Sequence, residues 1–170
     1  MSNPMVLLET TSGDILLELF PEKAPETVAN FLAYVDEGFY EGTIFHRVIK
    51  NFMIQGGGYT LRLAEKPTTR PPVKNEAATG LKNERGTIAM ARTADPHSAT
   101  VQFFINSVDN PGLDHTEESL EGYGYCAFGK VVEGLDVVDA ISKTKTKPSG
   151  IHDDLPVDSV MINNASRFEL

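Results

Sequence analysis

Through most of the chain, apolar and polar residues alternate in short runs that end at glycine, proline, asparagine or aspartate, the period expected of half-buried strands. Val6 to Thr10 and Ile15 to Phe20 flank Thr11-Ser12-Gly13-Asp14, a hairpin signal in which glycine can supply the positive φ of a tight turn. Similar runs cover Thr43 to Ile49, Met53 to Gly56, Thr87 to Ala91, Val101 to Ser107, Cys126 to Val132 and Ser159 to Asn163, about eight strands in all. Two segments switch to helical spacing. Pro25 suits a first helical position, Glu26 complements the N-terminal dipole, Val28, Phe31, Leu32 and Val35 fall on one face, and Gly38 suits the residue past the end. Leu135 to Lys143 is a shorter helix with Val137, Val138 and Ile141 as its apolar stripe.

Many strands and only two helices predict an all-β (mainly β) fold, a barrel or sandwich whose open ends or edges the helices cover. With 170 residues and no repeat, low-complexity tract or linker, residues 1–170 are expected to form a single domain. Tyr59 to Arg85 is polar, holds Pro67, Pro71 and Pro72 and keeps neither period, so it is expected to be a functional loop; Asp109 to Gly124 is a second loop.

Composition then works by exclusion. Fifteen Lys and Arg against 24 Asp and Glu leave a formal charge of -9, which offers no basic footprint for nucleic acid or anionic lipid. The single cysteine, Cys126, permits no intramolecular disulfide and favours a reducing compartment. The first twenty residues lack a basic region, and Glu9, Asp14 and Glu18 interrupt their apolar runs. A soluble cytoplasmic protein with no membrane partner is expected.

Conventional reactive motifs are missing. Gly56-Gly57-Gly58 is no phosphate loop and reads as a bulge or a close backbone approach. No G-x-S-x-G occurs, and His46, His97, His115 and His152 never stand at metal-ligand spacing, so no metal is expected. Ser98 beside His97 is weak ground for a nucleophile, since such sets are defined by geometry. Asp153-Asp154 and Glu117-Glu118 read as solvated pairs, Lys143 to Lys147 as a solvated helix end, and Cys126 as an inert core thiol. What stands out is the strand faces. Alternation sets Ile44, His46 and Val48 opposite Phe45, Arg47 and Ile49, Met53 and Gln55 opposite Ile54, and Gln102 and Phe104 opposite Val101, Phe103 and Ile105. If the purely apolar faces turn inward, the outer faces mix Arg47, Gln55 and Gln102 with Met53 and Phe104. That combination suits an extended peptide, donors for its carbonyls and a recess for one side chain; ordinary surface covered by loops fits the pattern equally well.

At these same residues the chain resembles the cyclophilins, which are peptidyl-prolyl cis-trans isomerases. Phe45-His46-Arg47-Val48-Ile49, Phe52-Met53-Ile54-Gln55-Gly56-Gly57, Gln102-Phe103-Phe104-Ile105 and Phe128-Gly129-Lys130-Val131 are similar to the family's signature blocks in order and spacing, from about Val6 to Ile162. Gly38-Phe39-Tyr40 and Ala91-Arg92-Thr93 point to the compact bacterial type. The resemblance implies a closed eight-stranded antiparallel β-barrel with a helix over each end and an active groove on its outer surface. It implies that Arg47 is the catalytic arginine, that Phe52, Met53, Phe104 and Leu113 line a proline pocket, and that Gln55 and Gln102 hold the substrate backbone. Ala91, Arg92 and Thr93 match the segment that pairs with the peptide main chain. Many members have histidine at Tyr125, which keeps an aromatic wall, and tryptophan at Gly112. The loss of that indole, together with Tyr125, counts against cyclosporin-type inhibitors as ligands. The partners implied are proline-containing segments of client proteins, bound by a monomer. A non-catalytic proline-peptide chaperone or scaffold, a barrel carrying an apolar ligand inside and a hydrolase are the rival functions.

Overall fold

In the computed structural model, which describes residues 2–169, the first hairpin forms at its turn signal. Strands β1 (Met5–Thr10) and β2 (Gly13–Leu19) meet through Thr11-Ser12, Gly13 takes φ +130°, and the Thr10 hydroxyl donates to the Gly13 carbonyl at 2.6 Å. Helix α1 (Pro25–Asp36) follows, burying Val28, Phe31, Leu32 and Val35. No side chain caps it locally. Glu76 from the long polar loop does so instead, accepting the Thr27 N–H and hydroxyl at 2.7 Å each, so that part of this loop is structural.

The remaining strands are β3 (Thr43–Ile44), β4 (Arg47–Ile49), β5 (Met53–Gly56), β6 (Tyr59–Thr60), β7 (Thr87–Met90), β8 (Phe103–Asn106), β9 (Ala127–Glu133), β10 (Thr146–Ser149), β11 (His152–Pro156) and β12 (Ile162–Phe168). Helix α2 (Leu135–Ser142) lies between β9 and β10. Eight strands form one antiparallel sheet in the order β12-β1-β2-β9-β7-β8-β5-β4.

This sheet curls through 215° and stays open, which corrects the expected closed barrel. The cause is local. The anticipated strand divides between Ile44 and Arg47, its first part, β3, pairing with β6 in a separate two-stranded ladder and its second, β4, pairing with β5 at the edge of the main sheet. An Ile44–Met161 bridge spans the gap to β12, with Phe45 and Gly42 N–H groups donating to the Val160 and Ile162 carbonyls at 3.0 and 2.8 Å.

Two other segments differ from their sequence reading. The last strand begins at Ile162, not Ser159, because it pairs with β1 from Thr10↔Ile162 to Met5↔Phe168 through a mostly polar stretch held by backbone bonds. The supposed helix end at Lys143 to Lys147 runs into a surface hairpin, β10–β11, turning at Gly150 (φ +58°). The interior of the curl is filled: Phe103, Ile54 and Ile105 are fully buried, and Phe103 packs edge-on against Phe31, Tyr40 and Phe45 at 5.5–6.0 Å. An internal ligand has no room there. No helix among the described residues is long and apolar enough to cross a membrane.

Candidate active site

Strand register sorts the sheet into two faces. Val48↔Ile54, Ile54↔Ile105 and Ile88↔Ile105 form a row facing the core, while Arg47↔Gln55, Gln55↔Phe104 and Ala89↔Phe104 form a row facing out. Outward residues are not all exposed. Met53 and Phe104 are 1% and 4% accessible, because Phe52, Leu113 and Tyr125 fold over them and make a second, smaller apolar cluster on the outer surface.

Between that cluster and the edge strand lies a recess of about 190 Å³ lined by Arg47, Phe52, Met53, Gln55, Ala91, Arg92, Phe104, Leu113 and Tyr125. Arg47 Nη1 donates to Gln55 Oε1 at 3.1 Å, and Gln55 Nε2 donates to Gln102 Oε1 at 3.0 Å, so one relay orients the guanidinium from across two strands. The glycine run serves a close approach: a Cβ on Gly58 would come within 2.6 Å of Gln102 Cγ, and one on Gly56 within 2.7 Å of the Ile44 carbonyl. Tyr125 meets Phe104 nearly edge-on at 5.7 Å. Arg92 lies 4.4 Å over the Tyr125 ring, with Nε donating to the Gly124 carbonyl at 3.1 Å and Nη1 to its neighbour Thr93 at 2.8 Å. Its charge is therefore spent on its own loop, while its peptide N–H and C=O have no partner among the described residues.

Gln102 and Thr93, the other two residues anticipated for the site, do not line this recess. They line an adjoining hollow of about 320 Å³ with Ser98 and Thr100, where the Thr93 hydroxyl donates to Ser98 Oγ at 2.8 Å. Gly112 sits in the short 3-10 turn Pro111–Leu113 at the rim, and a Cβ there would meet nothing within 4 Å.

Sequence reasoning missed the supports of the walls. Asn110 Nδ2 donates to the Phe52 carbonyl at 2.9 Å and to Asn106 Oδ1 at 2.8 Å. Asn106 Nδ2 donates to Asn83 Oδ1 at 3.1 Å, and Asn83 Nδ2 reaches the carbonyls of Leu113 and Tyr125 at 3.2 and 3.1 Å. Three amides thus tie together the backbones that carry Phe52, Leu113 and Tyr125. Asn83 and Asn106 are 1% and 0% accessible, a burial that polar groups tolerate only when bonded. A signal existed: Asn106 shares the outward face of its strand with Gln102 and Phe104.

A guanidinium stands at the lip of an apolar recess, with unused peptide groups along one side, an arrangement with room for an extended peptide and one apolar side chain. Residues 5–167 match the sequence profile of the cyclophilin type peptidyl-prolyl cis-trans isomerases, and the chain belongs to that family. It is 57% identical over 165 residues to peptidyl-prolyl cis-trans isomerase B of Escherichia coli strain K12, covering 97% of this chain and 100% of that one. It is also 57% identical over 160 residues to the isomerase cyp18 of Streptomyces antibioticus, covering 94% and 96%. Among solved structures, a Cryptosporidium parvum cyclophilin-type isomerase, crystallised in the presence of the dipeptide Ala-Pro, superposes with TM-score 0.77 at 29% identity, covering 98% of this chain and 99% of that one. The activity is prolyl isomerisation.

Proposed function

We propose that this isomerase acts on X-Pro bonds in unfolded or flexible segments of client proteins, with Arg47 as the residue that lowers the barrier. The observation that carries this reading is that Arg47 and the apolar side chains Phe52, Met53, Phe104 and Leu113 line one recess. An X-Pro bond resists rotation because the nitrogen lone pair is delocalised into the carbonyl, a barrier of about 20 kcal/mol that takes tens of seconds to cross unaided. Twisting returns the lone pair to the prolyl nitrogen. A guanidinium N–H aimed at that nitrogen binds the twisted form more strongly than either planar one, and this is the condition for acceleration.

The walls immobilise the pyrrolidine ring, while Gln55, Gln102 and the unused backbone groups of Arg92, flanked by Ala91 and Thr93, hold the neighbouring peptide; Tyr125 closes the far side. One end of the bond is then fixed and the other turns. An acceleration of ~10⁵ needs roughly 7 kcal/mol, within reach of one charged hydrogen bond plus orientation in a site that excludes water. We further assign the action to a monomer in the cytoplasm. The assignment to the cytoplasm rests on the presence of a single cysteine, Cys126, which leaves the fold without an intramolecular disulfide.

The test is cis-to-trans conversion of an Ala-Pro peptide with wild type and Arg47→Ala. Wild type should accelerate conversion, and Arg47→Ala should lose about 10²–10³ in kcat/KM while still binding the peptide and unfolding at the same denaturant concentration. Equal turnover by the two proteins would remove Arg47 from the mechanism.

A further inference from the structure

On the other side of Arg47 from the recess lies a hollow of about 260 Å³ lined by His46, Arg47, Tyr59, Gln102, Ile151, His152, Asp153 and Asp154. The β10–β11 hairpin builds its outer wall. Strand β11 packs beside β4, which brings Asp153 and Asp154 next to the strand that begins at Arg47.

Three observations set this hollow apart from ordinary surface. First, neither aspartate's carboxylate has a cation within 4 Å or a hydrogen bond among the described residues; the ion pairs Arg70–Glu37, Arg85–Asp139 and Arg167–Asp36 all lie elsewhere. Second, His46 forms part of the wall while only 5% exposed, and its Nδ1, sealed from solvent, has no partner. Unbonded buried polar atoms are rare, and this one belongs to a ring held between Tyr59 and His152 at 4.6 and 5.6 Å. Third, Ile151 is 83% exposed at the hairpin tip and lines the same hollow, with Tyr59 also among its walls.

We infer that this hollow is a specificity subsite for a lysine or arginine side chain lying close to the proline in a client segment. The chemistry fits such a side chain along its length. Its aliphatic stem finds Ile151 and the Tyr59 ring, and its charged head finds two unpaired carboxylates. The imidazole beside them adds no cationic charge. Burial, then the neighbouring His152 and Arg47, lowers the His46 pKa to about 4, so the ring carries no opposing charge near neutrality. Tyr59 brings a third carboxylate close, since its hydroxyl donates to Glu65 at 3.2 Å. Arg47 is the opposing cation and keeps its full charge while its Nη1 donates to the neutral Gln55, so the two aspartates must outweigh it. The formal charge of -9 draws cationic segments from a distance.

This inference rests on the reading of the recess as the proline site, so the test needs arms that fail separately. Prolyl peptides carrying one Lys, Ala or Glu at the first or second position on either side of the proline are compared for kcat/KM and, by equilibrium titration, for Kd. At one of these positions the Lys peptide should exceed the Ala peptide by about fivefold, the Glu peptide should fall below it, and the difference should lie in KM and Kd, since the contact is the same in planar and twisted forms. In the Asp153→Asn/Asp154→Asn double variant, or in 1 M salt, the Lys-to-Ala ratio should drop to within about twofold. Replacing both aspartates with lysine should invert the order of the Lys and Glu peptides. Equal Lys, Ala and Glu peptides at every position, or a Lys preference that survives the double Asn variant, would overturn the subsite. Absence of turnover on the Ala peptide would instead refute the proposed activity, and the Kd ratios would still decide the subsite.

Discussion

The recess and the hollow share Arg47 yet are built in opposite ways. The recess has apolar walls whose backbones are fastened from below by Asn83, Asn106 and Asn110, each amide engaged by its neighbours. The hollow has walls from a surface hairpin and two carboxylates, Asp153 and Asp154, with no ion-pair or hydrogen-bond partner among the described residues. The contrast fits the two roles proposed for them. Transition-state stabilisation requires groups already fixed in position, because reorganising them would consume the interaction energy. Choosing among clients requires only a difference in binding, which groups left unsatisfied until the client arrives can supply.

If that contrast is right, damage to the two regions should look different. Beyond Arg47 itself, the largest expected effect belongs to Asn106→Ala, which strands Asn83 Oδ1 and one donor of Asn110 and opens a void in a fully buried place. Unfolding by urea should show a loss of about 2–4 kcal/mol, and the peptide KM should rise as the Phe52, Leu113 and Tyr125 walls loosen. Asp153→Asn/Asp154→Asn should change stability by no more than about 0.5 kcal/mol. Similar losses from the two variants would erase the distinction between a fastened and an unfastened region.

The sequence discloses these regions unequally, for physical reasons. Period-two alternation was enough to collect Arg47, Gln55, Met53, Gln102 and Phe104 on outward faces, because strand geometry alone decides which side a residue takes. Alternation cannot say that Met53 and Phe104 are buried there, since the cover comes from loop residues such as Leu113 and Tyr125 that obey no period; those positions came from family resemblance. The asparagine supports are hidden for the same reason, as a buried amide and a surface amide are spelled alike. Around Phe45-His46 alternation misleads, because the chain leaves one ladder at Ile44 and joins another at Arg47, and a change of pairing partner has no signature in the period. The β10–β11 hairpin buries little on either face, so it carries no apolar rhythm, and Asp153-Asp154 reads as solvated surface until β11 is seen beside β4.

His46 gives the next largest effect and probes the hollow's side of the comparison through pH. Its pKa falls from the usual 6.5 to about 4 on folding, mainly through burial. Between those values the unfolded chain binds a proton that the folded one refuses, so stability should fall as pH is lowered from 6.5 towards 4 and level off for this group below that. The full contribution is up to about 3 kcal/mol. Urea unfolding of wild type and His46→Phe at pH 7 and pH 5 measures it. The variant keeps an aromatic ring against Tyr59 and His152 and should lose much less stability over that interval. Equal pH slopes would mean that the imidazole is not sealed as its burial implies.

The smallest effect comes from adding to the recess. Gly112 stands at its rim with an ordinary backbone conformation and open space where a Cβ would project, next to Leu113 in the wall. Gly112→Trp should therefore be accommodated with a stability change within about 0.5 kcal/mol, extending the apolar wall and adding one N–H donor. Because the underlying backbone is already fastened, the new ring needs no further ordering of its surroundings, and its gain should appear as binding. Affinity for a cyclosporin-type inhibitor should rise about tenfold, and KM for a prolyl peptide should fall about twofold with kcat little changed. Titration of inhibitor against both proteins reads the first, and steady-state kinetics the second. A tryptophan that left both unchanged would mean that the recess is bounded before it reaches Gly112. One that lowered kcat would mean that the rim must move during turnover, against a site whose walls are fixed in advance.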